Sequence, residues 1–177
     1  MKYAGVAGIA AMALVLAGCG GSTAEKASTE GVEKLVEANL KAHGMNADVE
    51  IDDGGKTMSM TANTEAGQAG FTAGEDVGMP ADFPQDIPVP GDIKISLVNS
   101  MAEQSMYNIM GAVGMSMDEL AKYYAENAPA QGWTEVSSTQ VPGTMASMQY
   151  EKGDRMLRIV AQHTADGTML TLNTATQ

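Results

Sequence analysis

Four runs in the last third of the chain, Trp133 to Gln140, Met145 to Glu151, Arg155 to Gln162 and Thr168 to Thr174, are separated by turn residues and read as strands. A period of two puts successive side chains on opposite faces of a strand, which predicts one buried and one wet face. Gly153-Asp154 suits a type II′ turn and Asp166-Gly167 a type I′ turn, so the stretch reads as consecutive hairpins. Leu157, Ile159 and Ala161 then share a face with Leu170 and Leu172.

Two more strands precede them. Ile93 to Val98 alternates Ile93, Ile95 and Leu97, and Ser105 to Val113 sets Met106, Asn108 and Met110 against Tyr107, Ile109 and Val113. Between the two sets lies a helix. Ser116 with Glu119 fits a capping box, and Met117, Leu120, Ala121 and Tyr124 recur at helical spacing. Pro129 forces a boundary or a kink, and Gly132 ends the unit. The order over residues 93–177 is ββαββββ, an α+β fold in which an antiparallel sheet carries one packed helix.

Residues 75–92 exclude a helix. Pro80, Pro84, Pro88 and Pro90 fix φ and hold their predecessors extended. Phe83, Ile87 and Val89 are apolar, which a free linker does not require, so this segment is expected to strap across a domain surface. Residues 29–74 read as a helix plus hairpin module. Val32, Leu35, Val36 and Leu40 form a helical stripe from Thr29 to His43, Gly44 stops it, and Glu30-Lys34 and Glu37-Lys41 are spaced for i,i+4 pairs. The hairpin has Val49 and Ile51 on one strand, Met58 and Met60 on the other, and Asp53-Gly54-Gly55 at the turn. A third strand near Ala69 to Thr72 is weakened by Gly67, Gly70 and Gly74. About 45 residues rarely sustain a core alone, so the module is expected to dock on the rest.

Residues 1–18 read as an export signal, with Lys2 as its positive end and an apolar run from Tyr3 to Leu16. Leu16-Ala17-Gly18-Cys19 resembles the lipobox of bacterial lipoproteins, which implies acylation of Cys19 and a lipid-bilayer anchor. Residues 19–28 form a small, polar, flexible tether. The chain carries 22 acidic and 10 basic residues; removing Lys2 with the signal leaves 9 basic residues and a charge of −13. Such a body is repelled by anionic lipid and cannot neutralise phosphates, which argues against nucleic-acid partners. Asp82-Phe83-Pro84-Gln85-Asp86-Ile87-Pro88-Val89-Pro90-Gly91, with Tyr123-Tyr124 and Gly132-Trp133, resembles a pattern in bacterial envelope lipoproteins of unassigned function. The resemblance implies residence in the cell envelope, at the outer membrane if the host is Gram-negative. It implies no catalytic residue and no cofactor.

Catalysis finds little support. His43 and His163 lie on separate elements, and neither neighbours a nucleophile-elbow serine. Methionine is the unusual feature: of 15, Met1 and Met12 leave with the signal, so 13 stay. Met58 with Met60, Met115 with Met117, Met106 with Met110, and Met145 with Met148 put thioethers close together, and thioethers suit Cu(I). The alternative is that Met fills gaps in a core poor in aromatics. Tyr107, Tyr123 and Trp133 are candidates to line an apolar groove. Lys152, Arg155 and Arg158 form a basic cluster, either a solvated hairpin rim or a site for an acidic ligand. The chain therefore reads as a lipid-anchored envelope protein with a non-enzymatic binding or scaffolding role, toward an envelope protein or small apolar ligand. Periplasmic Cu(I) or Ag(I) handling through Met pairs is the alternative, and a hydrolase with an unrecognised site the third reading.

Overall fold

The computed structural model describes residues 29–176 except 53, 54, 65, 66, 76 and 166. The export signal, the lipobox with Cys19, the tether, and the turn residues Asp53, Gly54 and Asp166 lie outside the described residues. The elements are α1 (Thr29–Ala42), β1 (Ala47–Ile51), β2 (Thr57–Thr64), β3 (Gly67–Gly74), β4 (Lys94–Met101), β5 (Met106–Val113), α2 (Met117–Ala130), β6 (Thr134–Val141), β7 (Met145–Lys152), β8 (Arg155–Thr164) and β9 (Gly167–Thr176). Nine strands form one sheet in the order β1-β2-β3-β4-β5-β9-β8-β7-β6, every pairing antiparallel. The fold is mixed α+β and dominated by this sheet.

The weak third strand is in fact eight residues long and pairs with β2 on one side and β4 on the other. The hairpin expected as a docked module is thus continuous with the main sheet. Glycine, which argued against this strand, is required at its end, where a Cβ on Gly74 would stand 2.0 Å from the Lys56 carbonyl oxygen. A Cβ on Gly70 would stand 2.7 Å from Ser100 Oγ, so a side chain at that position meets the next strand.

One face of the sheet is covered. Helix α2 lies over β6, β7 and β8 and presents Leu120, Tyr124 and Ala128, all fully buried and spaced i, i+4, i+8. They join Ile109, Leu157, Ile159, Leu170 and Leu172 in the core, each worth about 1.5–3 kcal/mol relative to an exposed side chain. The capping box starts the helix: Glu119 N–H donates to Ser116 Oγ, and Ser116 N–H donates to Glu119 Oε2 at 2.8 Å. Pro129 is accommodated in the last turn, and the helix ends after Ala130, where Gly132 at φ +84° turns the chain and Trp133 N–H donates back to the Ala128 carbonyl at 3.0 Å. The strap lies over a further part of this face, burying Val77, Phe83, Ile87 and Pro90.

Helix α1 packs on β1, at the sheet's edge. Its inward stripe is Val32, Val36 and Leu40, while Leu35, expected on it, is 73% exposed. Glu37 is not free to serve Lys41 alone, because its carboxylate accepts from Val49 N–H at 3.1 Å. Glu33 accepts from Ile51 N–H at 2.7 Å. Two carboxylates one helical turn apart thus satisfy the outward amides of an edge strand. At the other edge, β6 is exposed along its whole length and interrupted by a bulge between Glu135 and Ser137.

Candidate functional site

The basic cluster at the β7–β8 hairpin splits. Lys152 Nζ lies 2.6 Å from Asp86 Oδ2 of the strap and 2.7 Å from the carbonyl of Gln131. Arg155 meets both oxygens of Asp86, with Nη1 3.0 Å from Oδ1 and Nη2 on Oδ2. The Arg155 guanidinium also stands 4.9 Å from the Trp133 ring centroid, and Trp133 Nε1–H donates to the Asp86 carbonyl at 2.7 Å. Hydrogen bonding from Arg155 lowers the Asp86 carboxyl to about 2, against the opposing pull of partial burial. Two of the three basic residues therefore clasp the strap. Arg158 is exposed on the other face.

The aromatic candidates are not one groove. Tyr107 donates to the Asp82 carbonyl at 3.0 Å and packs edge-on against Phe83, so it fastens the strap's other end. Burial pushes its hydroxyl up to about 12. Tyr123 packs edge-on against Tyr124 on α2. Trp133, 2% exposed, is held in the clasp. His43 follows α1 and His163 lies on β8, both exposed. Among the described residues no group of three or more His, Cys, Asp or Glu is arranged to hold a metal ion.

Two polar hollows flank the N-terminal half of the sheet. One, about 290 Å³, is lined by Thr61, Thr72 and Ser100 and by Asp82 of the strap. The other, about 470 Å³, is lined by Glu37, Asp48, Glu50, Ser59 and Thr61. The alternation that placed Met58 and Met60 on one side of β2 puts Thr57, Ser59 and Thr61 on the other, and this hydroxyl row was the unread signal.

The sheet's second face is where methionine collects. Register carries one row across five strands from Met58 through Ala73, Leu97 and Met110 to Thr171. The next row carries Met60, Phe71, Asn99, Asn108, Asn173 and Arg158. Its centre is polar and internally paired: Asn99 Nδ2 donates to Asn108 Oδ1 at 3.5 Å, and Asn108 Nδ2 donates to Asn173 Oδ1. Met101 stands opposite Met106, and Met156 opposite Ala175, in the row beyond. Met145 and Met169 both pair with Gln162.

Of the 13 methionines among the described residues, eight (58, 60, 101, 106, 110, 145, 156 and 169) therefore share this face. Met148 is the fully buried one in the core, and Met115 and Met117 pack against that core. Gap-filling accounts for those three but not for the eight. The two pairs stand apart from each other, Met58 and Met60 on the face opposite the core that Met115 and Met117 touch. The main helix contacts are of α1 with β1, where Val49 is buried, and of α2 with β6, β7 and β8.

No known protein family, no curated protein and no solved structure matches the chain.

Proposed function

We propose that this chain is a lipid-anchored protein of the cell envelope with a non-enzymatic binding or scaffolding role, and that its partner engages the open face of the sheet. The observation that supports this reading is the segregation of side chains between the two faces. Leu, Ile and Tyr fill the covered face, while the open one carries eight Met with Leu97 and Val160 around a polar row of Asn99, Asn108, Asn173 and Arg158. Unbranched thioethers adapt to varied apolar shapes, and a partly buried row of them is a surface suited to docking.

The anchor rests on the lipobox and on charge. Acyl chains on Cys19 would hold the chain at the bilayer, each buried CH₂ contributing about 0.8 kcal/mol. A body of charge −13 stands off from anionic lipid, leaving its sheet free for a partner. Within this reading the chain from Ile93 onward is the ββαββββ unit and residues 29–74 are its N-terminal addition.

Two measurements test it. Metabolic labelling with a clickable fatty acid is expected to mark the wild-type chain and not Cys19→Ala; label persisting in the variant removes the anchor. A photo-crosslinking residue placed at Met110 is expected to capture an envelope partner in cells, whereas the same residue at Lys122, exposed on α2, is not. Equal capture from both sites removes the docking face.

A further inference from the structure

The smaller polar hollow, about 290 Å³, has a floor from the sheet and a wall from the strap. Register sets Thr61, Gly70 and Ser100 side by side on β2, β3 and β4, in the row that continues to Tyr107 on the covered face. The two hydroxyl residues are thus two strand spacings apart, about 10 Å, with no side chain between them. A Cβ on Gly70 would stand 2.7 Å from Ser100 Oγ, so that hydroxyl leans over the glycine and into the gap. Val77 and Phe83 bury the strap on either side of the hollow, while Gly78 and Asp82 between them are exposed and line it. The Tyr107 hydroxyl, donating to the Asp82 carbonyl at 3.0 Å, fixes the wall at that point.

The polar groups that converge here are unspent. The side chains of Thr61, Ser100 and Gln68 make no hydrogen bond to another described residue, and Thr61 and Ser100 are half-buried. No Lys or Arg is among the described residues that line the hollow, so an anion finds no counter-charge. Asp82 is the one carboxylate among them, so a divalent cation would find a single charged ligand. Hydroxyls and a carboxamide both donate and accept, and a carboxylate accepts. The complement to this set is a neutral molecule rich in hydroxyls. To reach both Thr61 and Ser100 it must carry them at opposite ends of a body that fills the gap over Gly70, as a sugar ring does.

We propose that this hollow binds one neutral sugar ring, with Thr61, Ser100 and Gln68 bonding its hydroxyls across the Gly70 notch and the Asp82 carboxylate accepting from a further hydroxyl. Its volume lies at the low end of ligand pockets, about 300–1,000 Å³, which suits a single ring. Phosphorylated and acidic sugars are disfavoured by the missing counter-charge and by the net charge of −12. The ring is either a free sugar or one unit of a glycan chain, and the chemistry that holds it is the same. The site is on the covered face and stands or fails independently of docking on the open one.

The test uses the full-length, ¹⁵N-labelled chain in a detergent without a sugar headgroup, titrated singly with D-glucose, D-galactose and N-acetyl-D-glucosamine. At least one of these is expected to shift the backbone amides of Gly70, Gly78 and Ser100 together along a saturable curve. Glu50 and Ser59 of the other hollow, and Leu170 of the core, should not move. Gly70→Ala puts a methyl group into the notch, where only the rotatable Ser100 hydroxyl has to yield, and should weaken binding by about tenfold or more with the urea midpoint little changed. Ser100→Ala and Thr61→Val each remove one hydroxyl and should weaken it by about threefold to tenfold. The 6-phosphate of the responding sugar should bind more weakly than the sugar itself. Tighter binding of a short oligomer of that sugar identifies a glycan chain as the source, and equal affinity identifies the free sugar. No saturable shift with any of the sugars, shifts centred on Glu50 and Ser59, or unchanged affinity in Gly70→Ala each overturn the assignment.

Discussion

Asp86 and Arg155 form a two-point contact in which both carboxylate oxygens meet both terminal guanidinium nitrogens, joining the proline-rich strap to the β7–β8 hairpin 69 residues later. Lys152 and the Trp133 ring complete the clasp. The carboxyl is held at about 2, below the 3.8 of an unperturbed Asp, so it binds its proton less readily folded than unfolded. Its contribution is fully present above pH 4 and is lost as pH falls through about 2. The shift corresponds to at most about 2 kcal/mol. Asp86→Asn is expected to lower the urea midpoint at neutral pH and to show a weaker loss of stability between pH 4 and 2 than the wild type. Parallel acid limbs in the two proteins would remove the clasp as the cause.

Tyr124 is fully buried on α2, and its hydroxyl has no hydrogen-bond partner. Burial, with the neighbouring Tyr123 and Tyr150 adding to it, pushes that hydroxyl well above its ordinary pKa. An unsatisfied buried hydroxyl is unfavourable by about 1–3 kcal/mol, while the ring supplies the packing. Tyr124→Phe should therefore leave the melting temperature unchanged or raise it by up to about 4 °C. A fall of several degrees would show that the hydroxyl is bonded.

The elements that sequence made legible are those whose information is local. The Ser116–Glu119 box, the α2 stripe and the hairpin runs each depend on residues a few positions apart, and each forms at its expected place. What stayed hidden depends on pairing across the chain. The glycines of β3 look like strand breakers until Ser100 is seen beside Gly70. Asp86 looks like a turn residue in a proline run until Arg155 faces it. The methionine face is hidden for the same reason: Met58, Met110 and Met156 lie far apart in sequence and share a face only through the strand pairings. Leu35 fits the helical spacing of the α1 stripe yet is exposed, because α1 packs on an edge strand and buries a narrower band.

Gly74 ends β3 with φ +145°, a backbone that L side chains rarely adopt, and a Cβ there would sit 2.0 Å from the Lys56 carbonyl oxygen. The obstacle is backbone, so neither partner can rotate away. Gly74→Ala is expected to destabilise the chain by about 2 kcal/mol or more, with the loss concentrated in β2 and β3. Gly78→Ala, where nothing lies within 4 Å of the added Cβ, is the control and should change stability little. Equal midpoints for the two variants in urea would remove the close approach as the constraint.

Glu33 and Glu37 act on β1 as a pair, one carboxylate for each outward amide of Ile51 and Val49. A charged acceptor bonded to a backbone N–H strengthens that bond, and without it the edge amides would be left to water. Glu33→Gln with Glu37→Gln keeps an acceptor oxygen on each side chain and removes the charge, whereas the double alanine variant removes the acceptors altogether. Amide hydrogen exchange is expected to rise modestly at Val49 and Ile51 in the glutamine variant and by about tenfold or more in the alanine variant, with Ile159 on β8 unchanged in both. Unaltered exchange at the two β1 amides in the alanine variant would mean that α1 shields this edge through Val32, Val36 and Leu40 rather than through its carboxylates.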